Sequence, residues 1–386
     1  MKNYQFYENQ IISKKDRFKL SHTDEKELKK DFYNENILIL GASGSIGNFF
    51  TKRLMKFNFK NLYLIDKNEN DLTELNRELV LLADKKKLNK IKYICTDLTI
   101  LNIDNFLKKN KITHYLNFAA IKHVRSEEEL ISLKYMFLTN SKSFLPSKKN
   151  YLKKFFSIST DKTVNPTSLL GISKTIMEKQ LSKFKNKNKK IFVSSVRFAN
   201  VSFSNGSILK YAVDRINEKK VLGIPQTIRR YFITHDEASS LCFKSLLKRN
   251  DKMVLIPNSN FLNKEHLIKN LIVKILKING YVPKFLSKIK NNKNIKVNKN
   301  YPILLTKPNT HGQKYYEEFY ANSEKLYLDE KDKTIAKVNL PNVTNVDKIL
   351  DTIFKFNKID DIKKFLIKNF KSYKPPKNVI KVSQNL

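Results

Sequence analysis

The chain has 386 residues, 41% of them hydrophobic and 29% charged, enough to bury a full core and to form more than one domain. Its 75 Lys and Arg against 36 Asp and Glu give a net charge of +39. The surplus is largely lysine, running with asparagine through stretches such as 185–190 and 288–300. It is a chain-wide habit, not the local patch of arginine and aromatics that grips nucleic acid, so no nucleic-acid partner is expected. No apolar run reaches the roughly 18 residues of a spanning helix, and the N-terminus lacks the apolar block of a signal peptide. The expectation is a soluble, cytoplasmic protein without an integral membrane segment, whose lysine-rich surface is compatible with peripheral contact to anionic lipid. Cys95 and Cys242 are too few for a disulfide framework or a cysteine zinc site. They read as small core residues, and no metal site is expected.

Residues 1–34 read as a charged N-terminal extension holding one short helix-like piece near 24–32. From Asn36 the pattern becomes regular. Strand-like runs at Ile37–Leu40, Leu62–Ile65, Ile91–Cys95, His114–Phe118, Phe155–Ile158 and Ile191–Phe198 alternate with helix-like segments at Ile46–Phe57, Glu69–Ala83, Asp104–Lys109 and Leu169–Phe184. This repeated βαβ order predicts an α/β fold, a doubly wound parallel sheet of Rossmann type with a smaller C-terminal substrate-binding region. After Phe198 the alternation weakens. Residues 266–316 hold no Asp or Glu, and the Lys/Asn stretch 284–300 reads as a surface loop or linker. The division expected is 1–34 extension, 35–255 dinucleotide-binding domain with part of the substrate site from about 200, 256–330 substrate-binding region, and 331–386 helical segment and tail. The last stretch, 371–386, is expected to be poorly ordered.

The run Ile37-Leu38-Ile39-Leu40-Gly41-Ala42-Ser43-Gly44-Ser45-Ile46-Gly47 spaces three of the chain's eight glycines as Gly-x-x-Gly-x-x-Gly between a strand and a helix. A pyrophosphate fits there. Gly41 makes the tight turn, Gly44 lets the backbone approach the phosphates, Gly47 lets helix and strand pack closely, and the helix start at Ser43, Ser45 and Ile46 supplies oriented N–H donors. The second strand ends at Asp66, 19 residues after Gly47, placed to accept from an adenosine ribose. A carboxylate there repels a 2′-phosphate, so NAD is favoured over NADP. Asp97, at the end of the third strand, is placed to bond the adenine.

The segment Ser157-Ile158-Ser159-Thr160-Asp161-Lys162-Thr163-Val164-Asn165-Pro166-Thr167-Ser168-Leu169-Leu170-Gly171-Ile172-Ser173-Lys174 begins where a strand meets its carboxyl end, the edge at which parallel sheets place their chemistry. Other ordered motifs accompany it: Asn117-Phe118-Ala119-Ala120-Ile121-Lys122-His123-Val124, Val196-Arg197-Phe198-Ala199-Asn200-Val201, Asn205-Gly206-Ser207, Arg229-Arg230-Tyr231-Phe232 with Asp236-Glu237-Ala238, and Thr310-His311-Gly312-Gln313-Lys314 followed by Glu317-Glu318-Phe319. Together with the glycine loop they span residues 37 to about 320. The set resembles the extended short-chain dehydrogenase/reductase superfamily, specifically the nucleotide-sugar 4,6-dehydratases of polysaccharide biosynthesis, of the UDP-N-acetylglucosamine 4,6-dehydratase type.

The resemblance implies a lyase that uses NAD to oxidise sugar carbon 4 transiently, loses water across carbons 5 and 6, and yields a 4-keto-6-deoxy sugar for surface polysaccharide, with carbon 5 retained or inverted. It implies Lys162 as base and Asp161 as acid, or those two roles exchanged, with Lys174 on the nicotinamide ribose and Ala119 and Ala120 beside the cofactor. Adjacent acid and base also suit an elimination on physical grounds. Asn200, Ser207 and either Arg229 or Arg230 resemble positions that hold the UDP-sugar, the arginine by a bidentate fork on the diphosphate. Lys122 and His123 follow the fourth strand and are expected to point toward the cofactor cleft as substrate contacts. Two departures stand out: Leu170 takes the place of the superfamily's tyrosine four residues before Lys174, and Gln313 replaces an expected glutamate. With no tyrosine, Thr160 relaying to Asp161 or Lys162 is the expected acceptor of the carbon 4 hydroxyl proton. Assembly as a homo-oligomer is expected.

Two other readings use the same features. A nucleotide-sugar epimerase shares the scaffold, but the Asp161-Lys162 pair is surplus to simple 4-epimerisation. An inactive cofactor- or nucleic-acid-binding paralogue would account for Leu170, yet has no reason to keep Asp161, Lys162 and Lys174 together.

Overall fold

A computed structural model describes residues 4–147, 151–262, 265–286, 297–306, 317–342 and 345–375. Strands β1 (Asn36–Leu40), β2 (Asn61–Asp66), β3 (Ile91–Cys95), β4 (His114–Asn117), β5 (Lys154–Ile158) and β6 (Phe192–Val196) form a parallel sheet in the order β3-β2-β1-β4-β5-β6. β5 is buried along its whole length, as its apolar run requires when helices cover both faces. Strand order reverses between β1 and β4, whose carboxyl ends therefore part to open a crevice. The doubly wound sheet expected from the sequence is the one observed.

The sheet then continues where the sequence signal faded. Met253–Pro257 pairs parallel to β6, and Ile335–Asn339 and Leu326–Leu328 close the edge antiparallel. Residues 335–339, expected in a helical tail, belong to the sheet. The run Ile335-Ala336-Lys337-Val338 is too short for periodicity to assign, and the partner that joins it to the rest of the sheet lies some eighty residues earlier. A second core holds the helices Ile208–Asn217 and Ile268–Ile278 against a three-stranded parallel sheet of Leu222–Pro225, Val282–Leu286 and Asn300–Thr306. Strand residues thus bound both ends of the expected 284–300 loop, whose centre, 287–296, lies outside the described residues. A third core packs Leu169, Leu170 and Ile172 under the helices Val346–Lys355 and Ile359–Asn369.

Residues 4–34 are part of this body. Helices Tyr4–Ile11 and His22–Phe32 flank Phe18, and the second opens with a reciprocal cap between Ser21 and Asp24. Phe18, Leu28 and Phe32 are fully buried, with Phe32 against the rings of Phe57, His114 and Phe243. Buried Glu8 accepts from Ser202 Oγ at 2.5 Å and meets His235 Nδ1 at 2.8 Å, while Arg17 forks onto Glu237 at 2.6 and 2.8 Å. Charged composition hid an apolar pair four residues apart, the spacing of one helix face. Cys95 also departs from expectation: it is exposed on the edge strand, and only Cys242 is buried.

Replacing Phe32 by Ala should therefore cost about 3–5 kcal/mol of unfolding free energy in urea titration. Glu25→Ala, on the exposed face of the same helix, should change it by less than about 0.5 kcal/mol.

Candidate functional site

The glycine loop is crowded in the way a phosphate cradle requires. Gly41 has φ +71° and donates to the Ile65 carbonyl at 2.8 Å; a Cβ there would lie 2.6 Å from Ala119 N, and one on Gly47 would lie 2.1 Å from Gly41 O. No side chain larger than hydrogen fits either place, so the residues present suit a dinucleotide whose pyrophosphate meets bare backbone. Asp66 is fixed at the rim, accepting from Ser43 N at 3.0 Å and Asn68 N at 3.1 Å. Gly41, Gly44, Asp66, Asp97, Ala119 and Ala120 all line one open cleft of about 630 Å³. Ser43 Oγ is buried there with no partner among the described residues, Ser45 Oγ accepts from Asn205 N at 2.9 Å, and Ile46 packs on the core beneath. Asp97 accepts from Thr99 and from the Tyr135 hydroxyl, which Lys67 also reaches at 3.2 Å. Partial burial works to raise the Asp97 carboxyl, but these donors outweigh it and hold its pKa below the usual value.

Beyond β5, Thr160 Oγ1 donates to Asp161 Oδ1 at 2.8 Å, and Lys162 Nζ lies 3.6 Å from the same oxygen. The two partners differ in access, the Asp161 side chain being 5% exposed and that of Lys162 37%. The lysine is thus the accessible partner and the carboxyl the buried one. Lys174, on the helix Leu169–Lys187, donates to Ile158 O at 3.0 Å, and burial brings its ammonium down to about 8. Leu170 lies in the third core, its N–H given to Glu127 at 2.9 Å. Burial pushes that glutamate up to about 7.

Lys122 and His123 meet the loop after Val201, which also reaches Ser45 of the glycine loop through Asn205. Lys122 Nζ donates to Ser204 Oγ at 3.3 Å, and Gly206, with φ +73°, lies so close to His123 that a Cβ would sit 1.9 Å from its Cε1. A glycine is required for the loop to rest on the imidazole. Burial and then the charge of Lys162 bring Lys122 to about 8, so the two ammoniums share one space. Burial, then Lys122 and Arg125, lower His123. Ser207 caps the helix Ile208–Asn217. Of the two arginines, Arg229 is exposed, whereas Arg230 is half-buried with Nε 3.3 Å from Glu317.

Glu317 is the residue whose place the sequence did not disclose. Its oxygens accept from Asn200 Nδ2 and from Tyr231 N at 2.8 Å, and pair with Arg230 Nε at 3.3 Å. Burial first, then the charge of Asp161, push its carboxyl up to about 8 against the pull of Arg230 and Lys162. Its own segment is tied down from below. Arg197 donates to Phe319 O at 3.1 Å and to both Glu324 oxygens, and on its other side to both oxygens of Glu178, which also takes the Ser159 hydroxyl at 2.6 Å. Asn140 is a second omission. It sits on a single wide π turn, Leu138–Lys142, exchanging bonds of 2.9 and 2.8 Å with the backbone of Ile121 and donating to Ser173. Glu317 stood in a recognised motif without a role, and Asn140 in no motif at all. The 310–314 motif lies outside the described residues.

Among the described residues no helix is long and apolar enough to cross a membrane, and no group of three or more His, Cys, Asp or Glu side chains is placed to hold a metal ion. The chain is 27% identical over 334 residues to the capsular polysaccharide biosynthesis protein CapD of Staphylococcus aureus, covering 84% of this chain and 53% of that one. It therefore spans about half the length of that relative. Over 322 residues it is 23% identical to a UDP-N-acetylglucosamine 4,6-dehydratase (inverting) of Campylobacter jejuni, covering 79% of this chain and 87% of the relative. Among solved structures, Pen from Bacillus thuringiensis superposes with a TM-score of 0.63 at 18% identity, covering 88% of this chain and 98% of that one. UDP-glucuronic acid 4-epimerase from Bacillus cereus, in complex with UDP-glucuronic acid and NAD, gives 0.54 at 17%, with 85% and 99% covered. These structures share the fold. With its glycine cradle, its parallel sheet and a match to the family model from residue 37 to residue 338, the chain belongs to the polysaccharide biosynthesis protein family.

Proposed function

We propose that the chain is an NAD-dependent nucleotide-sugar 4,6-dehydratase acting on UDP-N-acetylglucosamine in surface-polysaccharide synthesis. The observation that carries this reading is the Thr160-Asp161-Lys162 turn, a buried carboxyl bonded to a hydroxyl and lying 3.6 Å from a partly exposed lysine. Gly41, Gly44, Gly47, Asp66 and Lys174 would hold the NAD, which when bound would supply the oxidation of sugar carbon 4 and the return of that hydride to carbon 6, so that carbon 4 stays a ketone. The 4-keto group acidifies the proton on carbon 5, which Lys162 takes. Asp161 gives a proton to the hydroxyl on carbon 6, and that oxygen departs as water. Thr160, bonded to Asp161, relays the carbon 4 hydroxyl proton that no tyrosine is present to accept. Arg230, paired with Glu317 at 3.3 Å, brings a permanent positive charge that suits a diphosphate-bearing substrate.

Incubating the purified protein with UDP-N-acetylglucosamine, without added reductant, should give a nucleotide-sugar lighter by one water in mass spectrometry. Asp161→Asn and Lys162→Ala should each lower turnover by a factor of at least about 100. Product of unchanged mass but altered sugar configuration would identify a 4-epimerase instead. Thr160→Val should lose most turnover while binding the nucleotide normally; full activity in that variant removes the relay.

Lys174 gives a second, pH-dependent expectation. Its ammonium titrates near 8, so it is charged below that pH and neutral above. If it donates to the ribose hydroxyls of NAD, affinity measured by calorimetry should weaken as pH rises from 7 to 9. Lys174→Met should bind NAD more weakly at pH 7 and with a flatter profile.

A further inference from the structure

Resting on the nucleotide-sugar reading, we infer that Glu317 is a positioning residue that sets the hydrogen-bonding polarity of the substrate wall by holding Arg230 and Asn200. The three donors that converge on its carboxylate come from two separate stretches of chain, at 200 and at 230–231. Each is constrained in a definite sense. Arg230 is held at Nε by Glu317 and at Nη1 by the Arg229 carbonyl at 2.7 Å, which leaves Nη2 with no partner among the described residues. Asn200 spends its amide nitrogen on Glu317 and, at 3.4 Å, on Tyr231 O, leaving Oδ1 with no described partner. The wall therefore offers one charge-bearing donor, suited to a phosphoryl oxygen, and one acceptor, suited to an O–H or N–H of the sugar or base.

The carboxylate is well placed for this work because it is not itself free to move. Arg197 grips the same segment two residues on, at Phe319 O, and again at Glu324. Phe319 is buried with its ring 6.0 Å from that of Tyr231, and Asn165 reaches Glu318 at 3.1 Å from the loop that follows Lys162. Glu317 thus couples the catalytic turn to the substrate-holding strand across 117 residues of sequence from Asn200. An unanchored arginine and amide would have to be ordered by each arriving substrate, which weakens binding before any chemistry begins.

The test uses the full chain, with UDP as probe. UDP affinity and NAD affinity are measured by calorimetry, and turnover of UDP-N-acetylglucosamine by mass spectrometry, for wild type, Glu317→Gln, Glu317→Asp, Arg230→Ala and the Arg230→Ala/Glu317→Gln double variant. At pH 9, where Glu317 is ionised, Glu317→Gln should weaken UDP binding and raise KM by about tenfold, the scale of one charge-assisted hydrogen bond, with kcat and NAD affinity nearly unchanged. Glu317→Asp, which keeps the charge, should recover part of the loss, and Glu317→Gln should add little to Arg230→Ala because the two act as one unit. Unchanged or tighter UDP binding in Glu317→Gln overturns the inference. So does a fall in kcat at constant KM, or loss of NAD binding in both Glu317 variants, which would make the residue a support of the fold. UDP binding is read without turnover, so a wild-type protein that binds UDP and yields no dehydrated product refutes the proposed reaction and leaves the Glu317 comparison standing.

Discussion

A single buried guanidinium organises the chemistry. Arg197, at the end of β6, is almost wholly enclosed and lies between Glu178 on the helix that carries Lys174 and Glu324 on the segment that carries Glu317. Burial would by itself lower the guanidinium pKa, but the two carboxylates outweigh it and keep the charge in place. A buried ion pair of this kind adds little net stability over an apolar packing of the same shape, while removing one partner leaves an uncompensated charge costing about 3–5 kcal/mol. Its value is therefore geometric. It joins β6, the Ser159 turn, the Lys174 helix and the 317–324 segment into one arrangement, and the site stands on all four.

Around that centre the sheet divides the labour between its two halves. The β1–β3 side ends in the glycine cradle and Asp66, where close backbone packing, not side-chain chemistry, makes room for a dinucleotide. The β5–β6 side ends in the Thr160-Asp161-Lys162 turn, and Glu317 gathers Arg230 and Asn200. The N-terminal residues tie these parts together. Tyr7 reaches Asn279 in the second core at 2.9 Å, while Glu8 and Arg17 hold the His235–Ser245 helix next to the sheet.

Leu170 illustrates how a departure from a motif can be absorbed. A tyrosine at that place in the superfamily's pattern serves the reaction; here the leucine is packed in a third apolar core beneath the C-terminal helices, where a hydroxyl would need a partner. Thr160 Oγ1 and Lys162 Nζ meet at one Asp161 oxygen, 2.8 and 3.6 Å from it, and it is to this group that the proposed reaction gives the proton transfers. Burial and like charge also bring Lys122 and Glu317 near neutrality, so several groups around the sugar site can exchange protons within a narrow pH range.

Local pattern alone determined the strands of the parallel sheet, the glycine loop and the Thr160-Asp161-Lys162 run, because each single strand, loop or motif is written in fewer than about twenty consecutive residues. Cores formed by distant segments were not legible in this way. The burial of residues 4–34 was masked by their charge, and the strand Ile335–Asn339 had no local sign of its partner. Nor could spacing choose Arg230 over Arg229, turn Lys122 and His123 toward Ser204 and Gly206, or bring Glu317 onto Asn200. Those choices depend on which side chains a long-range fold makes neighbours, and on the burial that then fixes their charge; both are properties of the assembled body, and no single stretch of chain contains them.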